Sequence, residues 1–173
     1  VLMLTDDILR LRALDSQDIL TLYEWENLSE LWNTSATLAP YSRRNLARYI
    51  ESYDANPFAS GELRLMAELT ASGCPVGFVD LYGVEVRHRR AYIGILIAPE
   101  YHRRGYAKRI LGLLECYCRR HLQMHQLIAI VPVDNEASLS LFASCGYIQA
   151  AVLPDYICSD GEFIDSIFYH KIL

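Results

Sequence analysis

The stretch from Tyr92 to Arg109, reading YIGILIAPEYHRRGYAKR, constrains the fold more than any other part of the chain. It opens as an apolar, β-branched run, breaks at Pro99 and passes through a basic loop around Gly105. It then enters a helical pattern with apolar residues at Ile110, Leu111, Leu114 and Cys118. A strand, a glycine-bearing turn and a helix start therefore follow one another closely. A helix start presents free backbone N–H groups and the positive end of its dipole, which suits a phosphate. Glycine lets an anion approach the backbone with no Cβ in the way. Arg103, Arg104, Lys108 and Arg109 add positive charge where a polyphosphate would lie, in a chain whose net charge is −5. An isolated glycine turn could merely close a βα unit. Here charge, glycine and helix start coincide.

Composition bounds the remaining possibilities. The 173 residues fit one domain, 1–173, able to bury on the order of 70% of its unfolded surface. A hydrophobic content of 52% argues against disorder. No run approaches the roughly 18 apolar residues that span a bilayer, and Val1–Leu4 is too short for a signal peptide, so the expected location is cytoplasmic. Five cysteines without framework spacing suggest reduced thiols, and Cys116 and Cys118 would point to different sides of a helix, so no metal is expected. Net acidity disfavours nucleic acid as the main partner.

Taken in order, Leu9, Leu11 and Ala13 alternate with Arg10 and Arg12 as a first strand. Asp15 caps a helix carrying Ile19, Leu22 and Tyr23. Ser42 caps a second, with Leu46, Tyr49, Ile50 and Tyr53 on one side. Leu63–Leu69 alternates as strand two, and Val76–Tyr82 is strand three. A third helix spans about Ala107 to His121, and Leu127–Val131 is a buried fifth strand ended by Pro132. A short helix after Asp134 or Asn135 stops at Gly146. Strands at about Tyr147–Val152 and Phe163–His170 flank a hairpin tipped by Asp160-Gly161. The order β-α-α-β-β-β-α-β-α-β-β is a mixed α/β domain.

His102-Arg103-Arg104-Gly105-Tyr106-Ala107 resembles the Q/R-x-x-G-x-G/A loop of the GNAT N-acetyltransferases, preceded by a strand-four run, Ile95-Leu96-Ile97. The similarity extends from Val76 to the C-terminus and more weakly back to Leu9. It is strongest towards the spermidine and the ribosomal-protein N-terminal acetyltransferases. The resemblance implies a mostly antiparallel sheet splayed between strands four and five, with acetyl-CoA as cofactor. It implies that His102, Arg103, Arg104, Gly105, Tyr106, Ala107 and Lys108 hold the pyrophosphate. The backbone of Ile95, Leu96 and Ile97 would pair with the pantetheine arm, the Ile95 N–H facing the thioester oxygen. Asp134-Asn135-Glu136-Ala137-Ser138 resembles the D/E-N-x-x-S/A segment after strand five, which places Asn135 and Ser138 at the cofactor; Asn135 serves equally well as a helix cap. Phe142, which the resemblance places at the cofactor, stands where the polyamine enzymes carry the tyrosine that protonates the departing thiolate. Ala91-Tyr92 stands where many relatives keep a glutamate base.

Acetyl transfer to an amine requires a neutral amine, a polarised carbonyl and relief of charge on sulfur. Asp80, charged within an apolar strand, is either a catalytic carboxylate or the partner of an arginine. Trp25, Glu26 and Glu30 either receive a cationic amine or mark a solvated helix end. Arg43, Arg44 and Arg48 would repel a polycation unless they point away. The acceptor is a polyamine-like small molecule or a protein N-terminus. A non-catalytic acyl-CoA-binding module is the reading from a different class, and a homo-oligomer is possible. No nucleic acid or membrane partner is expected.

Overall fold

The computed structural model describes residues 3–32 and 37–173, with Glu30 and Leu31 described by their backbone alone. Seven strands form one sheet: β1 (Leu9–Ala13), β2 (Leu63–Leu69), β3 (Pro75–Glu85), β4 (Arg90–Ile97), β5 (Gln126–Pro132), β6 (Ile148–Ser159) and β7 (Glu162–Ile172). Their order is β1-β2-β3-β4-β5-β7-β6. The helices are α1 (Ile19–Glu26), α2 (Ser29–Trp32), α3 (Arg43–Glu51), α4 (Pro57–Ser60), α5 (Tyr106–Arg120) and α6 (Glu136–Ser144). β1 to β4 pair antiparallel, as do β5, β7 and β6. The crossover through α5 returns the chain to the same end of the sheet, so β4 and β5 are parallel.

That parallel pair is short. It runs from Arg90↔Gln126 to Tyr92↔Ile128 and stops. Beyond it, Ile93–Ile97 continue to pair with β3, while Ala129–Pro132 pair with β7. The two strands therefore diverge, and the β4 edge from Ile93 onward has no β5 partner.

The larger core lies on the α5 side of the sheet. Ile110, Leu111, Leu114 and Cys118, spaced to share one helix face, are fully buried against Leu11, Leu65, Val79, Ile93 and Leu127. Burial pushes the Cys118 thiol up to about 12, which marks it as a core residue. On the opposite face α1 and α3 lay Leu22, Trp25 and Leu46 over Met66 and Phe78. Ser42 and Asn45 close a reciprocal capping box at the start of α3. Between β1 and β2, Glu68 is buried and bonded to Arg10 and Arg12, and Arg12 also binds Asp18. The polar half of the first strand's alternation thus folds into an ion-pair network.

The expected elements are all present, and their bounds differ at informative places. β3 continues past Tyr82 to Glu85 through a register shift at Gly83, whose φ is +54°. β6 and β7 are much longer than the sequence pattern predicts. Nearly every β6 residue is exposed, so there is no buried face to imprint an alternation. Their tip is Asp160-Gly161, with φ of +51° and +84°, as a two-residue hairpin requires. α4 is unanticipated, although Asn56 caps it, Pro57 opens it and Gly61 closes it at φ +79°.

Candidate functional site

Gly105 sits at φ +78°, immediately before α5, and Arg103 is also left-handed at +59°. This curl turns successive amides outward. Among the described residues, the N–H groups of residues 103–108 meet no acceptor within the protein, and the first to do so is Arg109, bonded to the Gly105 carbonyl at 3.4 Å. A Cβ built at Gly105 would meet nothing within 4 Å, so the cradle is open on that side. Arg103, Arg104 and Lys108 are exposed, Tyr106 and Ala107 half-buried. Arg104 also lies 5.3 Å over the Tyr101 ring and donates to the Glu100 carbonyl at 3.1 Å. Arg109 does not join them: its guanidinium is held by Asp6 at 2.9 Å and Asp7 at 2.8 Å. Burial raises the Asp6 pKa, but the Leu9 and Ile8 amides and Arg109 outweigh it and hold the carboxyl below its usual range.

His102 spans from this loop to the strand, its Nε2 lying 2.8 Å from the Ile97 carbonyl oxygen, so Nε2 carries the proton. That carbonyl, expected to be open to a ligand, is engaged. The free β4 edge at Ile93 and Ile95 opens beside the loop, on the side where β5 has turned away, whereas the Leu96 backbone, expected at the cofactor, faces Phe78 of β3 instead. Across the gap, Asn135 Oδ1 accepts from the Ser138 N–H at 3.1 Å and caps α6, which leaves its Nδ2 as a donor; Ser138 is half-buried. Phe142 is different. Expected at the cofactor, it is 3% exposed and packed edge-on to Tyr147 at 5.0 Å and against Tyr169 at 6.3 Å. Its position three residues after Leu139 turns it under α6 into the core rather than towards the gap.

These residues fit a nucleotide-linked thioester: open amides and three exposed cations at the phosphate end, then a strand edge with unused hydrogen-bonding groups.

On the opposite face, Arg64 on β2 reaches across to β3. Its Nε and Nη2 each donate to one oxygen of Asp80 at 2.7 Å, and Nη1 donates to Glu26 of α1. The guanidinium lies 4.0 Å over the Phe78 ring and 5.9 Å from that of Tyr49. Burial alone would ease its proton off, but the bonds and charge of Asp80, with the charge of Glu26, hold it firmly ionised. Burial also pushes the Tyr49 phenol up. Of the two readings for Asp80, the arginine pair is the one realised. Arg64 itself escaped the sequence reading, although a charge in an apolar strand was the signal that an opposite one must face it.

Trp25, expected to offer its ring to a cation, is 6% exposed and lies against Phe78 with centroids 6.3 Å apart. Leu22 and Trp25, three apart on α1, share its buried face. Glu26 does reach the cluster, whereas the side chain of Glu30 lies outside the described residues. Arg43, Arg44 and Arg48 are all exposed on the outer side of α3, Arg43 stacking 5.2 Å over Tyr23. Asp80 pairs across the sheet with Gly94 of β4, next to Ile95, so the anionic cluster lies directly beside the splay.

Comparison with known proteins agrees with this geometry. A family model described as an acetyltransferase (GNAT) domain matches residues 9–148. The chain is 26% identical over 157 residues to the spermidine N(1)-acetyltransferase of Vibrio cholerae serotype O1, covering 91% of this chain and 88% of that protein. It is 26% identical over 171 residues to the Escherichia coli (strain K12) spermidine N(1)-acetyltransferase, covering 95% and 88%. The crystal structure of spermidine N-acetyltransferase from Vibrio cholerae in complex with CoA and spermine superposes with a TM-score of 0.83 at 25% identity over 95% of each chain. With the divergent β4–β5 pair and the open amide loop in place, the match across residues 9–148 means that the chain belongs to the GNAT acetyltransferase family and is an acetyl-CoA-dependent N-acetyltransferase.

Proposed function

We propose that the acceptor is the primary amine of a polyamine-like small molecule. One observation carries this reading: Glu26 and Asp80 share the single guanidinium of Arg64, leaving one negative charge in excess beside the β4 edge. A low-dielectric surround makes that imbalance felt by a nearby cation. The relatives named for spermidine acetylation support the same class of acceptor.

The remaining roles follow from position. The amides of residues 103–108, with Arg103, Arg104 and Lys108, would hold the pyrophosphate of the cofactor, and Asn135 Nδ2 would contact its arm. When bound, acetyl-CoA supplies an acetyl group already activated as a thioester. The Ile95 N–H would face the carbonyl oxygen of the bound thioester, and one such donor is worth about 3 kcal/mol of barrier. Asp80 acts here through charge. Both of its oxygens already accept from Arg64, so it draws the ammonium to the splay, where the amine gives its proton to water before attack and the departing thiolate takes one from water. Holding amine and thioester together in reactive geometry supplies roughly 7–11 kcal/mol in favourable cases. Phe142 has no proton to give to sulfur. The exposed edge strand β6 supports self-association as well.

The test is release of free thiol from acetyl-CoA with spermidine, a monoamine, a peptide bearing a free N-terminus, or no amine. Amine-dependent release fastest with spermidine is the expected result. Faster release with the peptide would overturn the polyamine assignment in favour of a protein N-terminus.

A further inference from the structure

Both strands that bound the splay continue past the point where they part, and each keeps its outer neighbour. The Ala98 N–H donates to the Val76 carbonyl at 2.9 Å. By alternation, Leu96 and Gly94 spend their backbone groups on β3, and Ile93, Ile95 and Ile97 turn theirs towards β5. On the far side the Val133 N–H donates to the Asp165 carbonyl and the Leu173 N–H to that of His125, each at 3.0 Å. The odd-numbered residues of β5 therefore serve β7, and Ile128, Ile130 and Pro132 face β4. The Gln126 N–H donates to the Arg89 carbonyl at 3.1 Å and so sets the register of the parallel ladder. Continued at the same spacing, the Ile130 N–H would reach the Ile93 carbonyl and the Ile95 N–H that of Ile130. The N–H of residue 132 would then meet the Ile95 carbonyl.

Those bonds are not made, because the pairing stops at Tyr92↔Ile128. Backbone groups of Ile93, Ile95 and Ile130 are left facing one another across the gap, although pairing them would lower the free energy. The residue at the head of the unpaired stretch is a proline. Pro132 has no N–H to give the Ile95 carbonyl, and its ring carbon stands where that proton would lie. Closing the ladder would press the ring onto the carbonyl oxygen. Pro132 is buried, and its pairing with Ser166 of β7 needs no N–H from it, since that position points towards β4. One step further along β4, the next acceptor is also spent: the Ile97 carbonyl takes the His102 Nε2 proton at 2.8 Å. The two strands are thus barred from joining at Ile95 and again at Ile97.

We propose that Pro132 is a positioning residue: by denying β5 a bond to the Ile95 carbonyl, it keeps the β4–β5 ladder from closing and holds the Ile95 N–H free for the thioester. This rests on the reading above that seats the cofactor arm in the splay, and extends it. In a closed ladder the Ile95 N–H would be spent on the Ile130 carbonyl, and the seat of the arm would close with it. A residue bearing an N–H at position 132 creates that closed state as a competitor. Cofactor affinity then falls by the fraction of molecules that remain open, while the bound complex is unchanged.

The experiment compares the parent with Pro132→Ala and Pro132→Val by amide hydrogen exchange without cofactor, by calorimetry with CoA, and by steady-state kinetics. In the parent the Ile95 and Ile130 amides should exchange fast and the Ile128 amide slowly. In each variant the protection of Ile95 should rise about tenfold, the factor for one net hydrogen bond of about 1.4 kcal/mol. CoA should bind about tenfold more weakly and the acetyl-CoA KM should rise to match. At saturating acetyl-CoA, kcat should hold within about twofold and the KM of the amine should not move. Valine, a strand former of similar bulk, keeps the test decisive if alanine leaves a damaging cavity. Slow exchange of Ile95 in the parent, or no gain of protection in the variants, overturns the role of Pro132 and leaves the seat of the cofactor standing. Protection lost along β5 and β7 together in both variants does the same, since the proline would then serve the strand itself. Protection gained at Ile95 with unchanged CoA affinity overturns the seat of the arm in the splay, and the role of Pro132 with it.

Discussion

Gly105 offers a substitution in which folding and binding separate. Its φ of +78° costs an alanine or aspartate about 1–2 kcal/mol of backbone strain, and no neighbouring atom lies within 4 Å to collide with a new side chain. Both variants should therefore fold, with a similar and modest loss of stability. They differ in charge. A carboxylate at this position would sit about 5 Å from a phosphate held by the amides of residues 103–108. The repulsion is about 3 kcal/mol at an effective dielectric of 20 and about 0.8 kcal/mol in bulk water. For an open loop an intermediate value of about 2 kcal/mol is appropriate, or roughly thirtyfold in Kd. Titration calorimetry with CoA should thus find Gly105→Asp roughly thirtyfold weaker than Gly105→Ala at 10 mM salt. The ratio should shrink at 150 mM, as the screening length falls from about 30 to about 8 Å. Equal affinities at low salt, or a ratio indifferent to salt, would refute the placement of the pyrophosphate.

Two further predictions probe the ion pairs and the helix cap. Burial raises the Glu68 pKa but its bonds to Arg12 and Arg10 prevail, so the folded value lies below the ordinary 4.5. Its contribution is therefore present above about pH 4.5 and lost as the pH falls through the folded value. Glu68→Gln should cost on the order of 3 kcal/mol at pH 7, and its urea midpoint should converge with that of the parent as the pH falls through the lowered folded value; a constant gap would deny the linkage. Asn135→Ala should lose about 1 kcal/mol of stability with the cap and also raise the KM for acetyl-CoA. Asn135→Asp keeps an acceptor for the Ser138 N–H but removes the amide donor, so it should retain stability and still show the raised KM.

How much of this was legible in the sequence depends on how local each feature is. The cofactor side could be read because a strand, a proline, a left-handed glycine and a helix start lie within Tyr92–Arg109, and their chemistry is that of the backbone. The acceptor side could not. Its central row, Arg64, Asp80 and Gly94, is assembled across β2, β3 and β4 by register. A single sequence encodes the strands but not which residues they set opposite one another. Other misses were avoidable. Trp25 lies three residues after Leu22 and Phe142 three after Leu139, the spacing of a buried helical stripe, and that pattern outweighs the polar neighbours that suggested a site. Arg109 looked available for phosphate because nothing near it in sequence is acidic; its partners, Asp6 and Asp7, lie across the fold.

The sheet also sorts charge, and under the proposed polyamine reading this would let both substrates bind at once. Arg103, Arg104 and Lys108 gather at the start of α5, on the face that holds the larger core. The net-negative group of Arg64, Glu26 and Asp80 lies on the other face, under α1 and α3. A polycation and a polyphosphate attract each other in solution, and on one shared surface each would compete for the other's site. Separated by the sheet, each is drawn to its own side by the field there. The two meet at the opening where β4 leaves β5 after Tyr92. The same arrangement leaves the arginines of α3 exposed on its outer side. The sign of the field at Gly94 then depends on Asp80 and Glu26 outnumbering Arg64, which makes that local count, rather than the charge of the whole chain, the quantity that would select the proposed ammonium acceptor.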